Sequence, residues 1–314
     1  MTQSAVAQRR PQLSVLGGFE LTVGDEPLSL CASGEKLLAF LAVHGRFRPV
    51  RRTALAERLW SDTDPARASA SLRSVLWRLP RPQGVQLVRT SSASLHLADD
   101  VTVDLWHAED TAQAIAASAV MGETVTGQTV TGQTVTGQTV TGQTVTGETD
   151  SAAALADRAA ALADRAAALA DRAGCDPVTS LGGDLLPGWS DDWLILEQEA
   201  FRQTRLHALE QTCARLRHCG HYAAALRAGS AAVRCEPLRE SAHRQLIKVH
   251  LAEGNHAEAL RQYQSFRRLL AYELGLPPSA SIRSLVAPLL GRPIDHQGRE
   301  TSQQPAPEAT HERR

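Results

Sequence analysis

Three observations predict a mainly α-helical protein with a small β part. Hydrophobic residues make up 43% of the 314 positions but aromatics only 4%, and a core made largely of Ala and Leu favours helices over an all-β fold. Between residues 13 and 105, short apolar runs broken by glycines give way to three segments of helical periodicity and then to a hairpin pattern. From Gly183 onward the pattern is helical throughout. Here Gly220, Tyr222 and Ala225 recur 34 residues later as Gly254, His256 and Ala259. Strands, three helices and a terminal hairpin make an N-terminal winged helix, and a period of 34 makes the α-helical domain behind it tetratricopeptide-like.

The elements follow in order. Leu13 to Leu16, Phe19 to Val23 and Pro27 to Leu30 are apolar runs separated by Gly17-Gly18 and Gly24-Asp25, the spacing of a meander. Glu35 to His44 places Leu37, Leu38, Leu41 and Ala42 at helical intervals, and Arg51 to Trp60 does the same with Leu55, Ala56 and Leu59. A third helix opens at Asp64-Pro65, a favoured N-cap followed by a favoured first helical residue, and closes before Pro80. Val85 to Thr90 and Ser94 to Ala98 then flank Ser91-Ser92-Ala93 as a hairpin.

The third helix, Pro65 to Leu79, carries the chemistry. With about 100 degrees per residue, Ala68, Leu72, Val75, Leu76 and Leu79 gather on one side. The other side presents Arg67, Ala70, Ser74, Trp77 and Arg78, with Ser71 and Arg73 on its borders. Arg reads guanine through two hydrogen bonds in the major groove, Ser donates or accepts at several base edges, and a small Ala lets the helix approach thymine methyls. Trp77 has two readings, contact with sugar or a thymine methyl, or partial burial at the base of the wing, and burial is the favoured one.

Residues 46–81 hold nine arginines against Glu57, Asp62 and Asp64, an electrostatic footprint for phosphate. Arg46, Arg48, Arg51 and Arg52 surround the turn before the second helix, where contacts to the DNA backbone set register without reading sequence. Arg89, Thr90 and Ser91 would bring the wing to the phosphates. Tandem readers on one face of the duplex sit one helical turn apart, so a homodimer on repeated half-sites is expected.

Two perfect repeats interrupt the chain. The pentapeptide TVTGQ runs five times from Thr124, its last copy ending in Glu148, and the heptapeptide AAALADR runs three times from Ala152 to Arg172. One Val per five residues offers too little apolar surface to offset ordering entropy, so residues 122–150 are read as disordered. The heptads align Leu155, Leu162 and Leu169 and predict a helix over about 151–173, either a dimerisation stripe or, as favoured here, a repeat expansion that lengthened an existing helix. The expected organisation is a flexible start at 1–12, the winged helix at 13–104, the helical domain at 105–290 with low-complexity repeats at 122–172, and a disordered tail at 291–314.

Other functions find little support. No nucleophile with a base, no paired carboxylates and no phosphate-binding loop stand out, which leaves no catalytic residue and no enzyme. The five cysteines include no C-x-x-C pair and no metal-ligand spacing, and read as reduced thiols of a cytoplasmic protein with neither metal nor cofactor. No apolar run is long enough to span a membrane. A tetratricopeptide-type adaptor and a winged-helix repressor are the competing functions.

These residues resemble a known family. The runs LSVLGGFEL, SGEKLLAFLAVHGRFRPVRRTALAERLW and DPARASASLRSVLWRL are similar to the OmpR-type winged helix of the SARP family, the actinobacterial antibiotic regulatory proteins. GGDLLPGWSDDWLILEQEAFRQTRLHALE and the run from Cys235 to Ile282 resemble that family's bacterial transcriptional activator domain. The resemblance implies a transcriptional activator that binds direct repeats in promoters, recruits RNA polymerase and controls antibiotic or other secondary-metabolite genes. It makes Pro65 to Leu79 the recognition helix, and the loop Trp60, Ser61, Asp62, Thr63 and Asp64 the polymerase-contacting surface. Trp77 stands where the family usually has a small polar residue.

Overall fold

The computed structural model describes residues 10–24, 26–126 and 177–290. It divides into two compact units at the Pro237/Leu238 bond, and it is mainly helical with small sheets near the N-terminus.

The first unit begins with strands β1 (Pro11–Ser14), β2 (Glu20–Val23) and β3 (Glu26–Pro27). β1 and β2 pair antiparallel with Leu13 opposite Leu21, and β7 (Thr102–Val103) adds parallel to β1 with Leu13 opposite Val103, giving the order β3-β2-β1-β7. Alternation buries Leu13 and Val15 on one face while Gln12 stays in solvent. β3 is shorter than the run Pro27 to Leu30 suggested. Its ladder ends where Leu28 N–H donates to the Leu21 carbonyl, 2.7 Å.

Three helices follow: α1 (Ala32–His44), α2 (Arg52–Leu59) and α3 (Pro65–Arg78). α1 buries Leu37, Leu38, Leu41 and Ala42, and α2 buries Leu55 and Ala56. α2 packs on α3. β4 (Val50–Arg51), β5 (Val88–Thr90) and β6 (Ser94–Leu97) form a second sheet in the order β4-β6-β5, the wing.

α4 (Asp104–Thr126) leaves the wing and packs along β1 and the later helix Asp192–His218. It corrects one expectation, because residues 122–126, read as the start of a disordered stretch, continue the helix. Extending a formed helix fixes one residue per added hydrogen bond and avoids the cost of a new nucleus. The remaining pentapeptides, the heptad helix expected over 151–173 and the tail at 291–314 lie outside the described residues.

The short α5 (Pro177–Ser180), the long α6 (Asp192–His218) and α7 (Tyr222–Cys235) complete the first unit. The segment before α6 is sewn to β1. Gly17 N–H donates to Asp184 O and Leu186 N–H to Val15 O, both at 2.8 Å, around an antiparallel bridge between Leu16 and Leu185. Asp104, the first residue of α4, accepts from the backbone N–H of Val15, Leu16 and Leu105. Burial pushes its carboxyl above the usual range, and these donors work against that rise.

The second unit contains α8 (Glu240–Ala252), α9 (His256–Leu274) and α10 (Ala280–Leu290) around a core of Ile247, Tyr263, Phe266, Leu270, Ile282 and Val286. The 34-residue period reappears in hydrogen bonds. In the turn before α7, Gly220 N–H donates to Arg217 O, His221 N–H to Leu216 O and Ala225 N–H to His221 O. In the turn before α9, the same bonds run from Gly254, Asn255 and Ala259 to Leu251, His250 and Asn255. Both glycines are left-handed, φ 77 and 82, where a Cβ would be strained.

Candidate nucleic-acid interface

The recognition helix expected over Pro65 to Leu79 is α3, one residue shorter. Its start is fixed by the Asp64 carboxylate, which accepts from the N–H of Arg67 at 3.3 Å, and by Pro65 in the first turn. Its end is fixed by Pro80, which holds Leu79 in extended backbone, φ −58 and ψ 129.

Ala68, Leu72 and Val75 are buried, and the remaining surface forms two rows. Ala66, Ala70, Arg73 and Trp77 make one, all exposed. Arg67, Ser71, Ser74 and Arg78 make the other, exposed except for the half-buried Ser71. The helix carries no acidic residue. Arg78 Nε donates to Ser74 O at 3.2 Å, which lays its side chain along the helix while the guanidinium end stays exposed. Every base-reading residue named from sequence therefore lies on one continuous basic face.

Trp77 corrects the expectation of partial burial, since it is 86% exposed. At the base of the wing, Leu76, Leu79, Leu87 and Val88 line a small cavity of about 70 Å³ in which the indole takes no part.

Arg48 and Arg51 are exposed on either side of Pro49-Val50. Arg52 is half-buried, donating its N–H to Ala93 O at 2.9 Å and its guanidinium to Ser91 O at 3.2 Å, so it ties the start of α2 to the hairpin. Ser91 closes that hairpin, its Oγ accepting from Ser94 N–H at 2.9 Å. Thr90 is exposed, and Arg89 pairs with Asp99 at 2.9 Å with both side chains largely in solvent. Arg46 stands apart from the phosphate-contact set. Its guanidinium donates to Glu109 at 2.6 Å and Asp110 at 2.5 Å on α4, and its side chain is only 14% exposed. Burial works against its charge, and the two carboxylates outweigh burial and raise its pKa.

The loop Trp60 to Asp64 is a self-bonded turn in which Thr63 donates through N–H and Oγ1 to the Trp60 carbonyl. With Lys36, Asp191 and Trp193, its residues Trp60 to Thr63 line a cleft of about 670 Å³. Lys36 Nζ donates to Asp191 Oδ1 across it at 2.6 Å. Sequence reasoning missed this cleft and the Arg46 clamp, because their partners lie 155 and 63 positions apart.

Residues 138–290 match the family model of the bacterial transcriptional activator domain. None of the curated proteins matches the chain. Among solved structures, Mycobacterium tuberculosis EmbR in complex with a low affinity phosphopeptide is similar, with 21% sequence identity and a TM-score of 0.56 over 91% of this chain. The chain thus has a fold similar to that of EmbR, and its helical part matches the activator-domain model. Residues 138–290 carry a bacterial transcriptional activator domain.

At 21% identity the likeness to EmbR speaks for the fold, and this chain spans 66% of that chain's length. Among its described residues, no helix is long and apolar enough to cross a membrane, and no group of His, Cys, Asp and Glu is arranged to hold a metal ion.

Proposed function

We propose that the chain binds double-stranded promoter DNA in a sequence-specific manner through α3. Arg67, Ala70, Ser71, Arg73, Ser74, Trp77 and Arg78 face base edges in the major groove, and Arg48, Arg51, Arg52, Thr90 and Ser91 hold the phosphates. Arg89 adds to the phosphate contacts after exchanging Asp99 for DNA. Arg46 is left out of this set because Glu109 and Asp110 already occupy its guanidinium. A homodimer places two copies of α3 on direct repeats about one helical turn apart. The loop Trp60 to Asp64 contacts RNA polymerase, and the genes activated are those of an antibiotic or other secondary-metabolite cluster in the cytoplasm of the producing cell. Residues 13–104 act as the reader and residues 105–290 as the activator domain.

The observation that carries this reading is the continuous, acid-free face of α3, with three exposed arginines interleaved with Ser and Ala. Footprinting of wild type and Arg73→Ala on promoters beside the protein's own gene tests it. The expected result is protection of spaced direct repeats that the substitution abolishes. Weak, unlocalised binding unaffected by Arg73→Ala overturns it.

A further inference from the structure

Trp77 is the one large apolar side chain on the basic face of α3, and at 86% exposure no described residue of its own unit covers it. It occupies the same row as Arg73 and adjoins Arg78, both exposed, on a helix without a carboxylate. Such a surround repels a basic partner and favours a polyanion. The major groove of a polyanionic duplex offers one apolar group at the base edges, the C5-methyl of thymine. We propose that Trp77 is a specificity-determining residue that packs its indole on a thymine methyl and so demands thymine at one position of each half-site. The inference rests on the DNA-reading role of α3.

Geometry places that thymine. Trp77 follows Arg67 by ten residues, about 15 Å along the helix axis, so the two side chains reach different base pairs. The required thymine therefore lies to the side of the base pair read by Arg67, toward the C-terminal end of α3. Because the indole makes its contact through an apolar body and not through paired hydrogen bonds, deleting only the methyl is the discriminating change.

The experiment begins with selection of binding sites from random duplex DNA by the full-length chain. Each thymine of the selected site is then replaced singly by deoxyuracil, which removes the methyl and keeps the hydrogen-bonding edge. Affinities of wild type, Trp77→Ala and Trp77→Phe are read by fluorescence anisotropy, and circular dichroism checks that the variants stay folded. The expected result is one thymine per half-site where deoxyuracil weakens wild type about four-fold, the equivalent of ~0.8 kcal/mol for one apolar carbon. Trp77→Ala is indifferent to the methyl at that position, and Trp77→Phe keeps part of the sensitivity. Equal losses for wild type and Trp77→Ala at every thymine overturn the inference and leave DNA reading by α3 intact. Loss of self-association in Trp77→Ala by sedimentation, without any change in methyl sensitivity, overturns it in favour of a second copy of the chain. Selection that enriches no sequence overturns both readings together.

Discussion

Arg46 Nη1 donates to Glu109 Oε2 at 2.6 Å, binding the loop after α1 to the helix that leaves the wing. Its second nitrogen takes Asp110, so one guanidinium holds two carboxylates from successive residues of α4. An arginine in a basic stretch is thereby used to fasten the loop before α2 to α4.

The first prediction separates Arg46 from the arginines around it. Arg46→Ala should destabilise the fold by about 1–2 kcal/mol, since a mostly buried guanidinium is lost while its carboxylates stay partly solvated. Urea denaturation measures this. The slope of DNA affinity against salt should be unchanged, and a flattened slope would return Arg46 to the phosphate contacts.

Arg51→Ala should behave in the opposite way. Its side chain is exposed, so stability should move by less than about 0.5 kcal/mol. Affinity should fall almost alike for all DNA sequences, and the log–log salt slope should shrink by about 0.9 if Arg51 neutralises one phosphate. Arg73→Ala and Arg78→Ala should instead cost about 1–3 kcal/mol at the selected site and little elsewhere. Anisotropy titrations on specific and scrambled duplexes over a range of salt distinguish the two classes.

Gly183→Ala tests the seam between β1 and the segment leading into α6. A Cβ there would stand 2.6 Å from Gly17 N and 2.8 Å from Leu16 C, both backbone atoms. They cannot retreat without breaking the bonds from Gly17 to Asp184 and from Leu186 to Val15. A loss of about 2–3 kcal/mol is expected, seen as a lower denaturation midpoint. A wild-type midpoint would show that the seam is loose.

What could be read from the sequence was whatever local chemistry decides. Asp64, Pro65 and Pro80 bound α3 through a cap, a fixed φ and a restricted neighbour, and the structure has those limits to within one residue. Gly220 and Gly254 signal two turns with the same hydrogen bonds because the left-handed backbone selects glycine locally. The seam at Gly183 and the Lys36–Asp191 pair depend on where distant segments meet, and no periodicity encodes that. Trp77 failed for a related reason. Its size argued for burial, but it is Leu76 and Leu79 that line the cavity at the base of the wing, and the indole stays outside.

The last prediction concerns acid. His44 packs against Phe40 at 4.4 Å and Trp193 at 5.7 Å between ring centroids, and its buried Nε2 has no hydrogen-bond partner among the described residues. Burial lowers its pKa below the ordinary 6.5. Glu197 opposes that shift, with its carboxylate 3.8 Å from Nδ1, and Arg58 adds to it. The unfolded chain therefore takes up the proton first as pH falls. The stability linked to the neutral ring is present above pH 6.5 and is lost as pH drops through the lower folded value. Urea midpoints at pH 7.5 and pH 5 should show this loss, at no more than about 1.4 kcal/mol per pH unit from this group. His44→Phe keeps a ring against Phe40 and Trp193 and removes the titration, so its midpoint should depend less on pH over that range. An equal pH dependence in both proteins would remove His44 as the source.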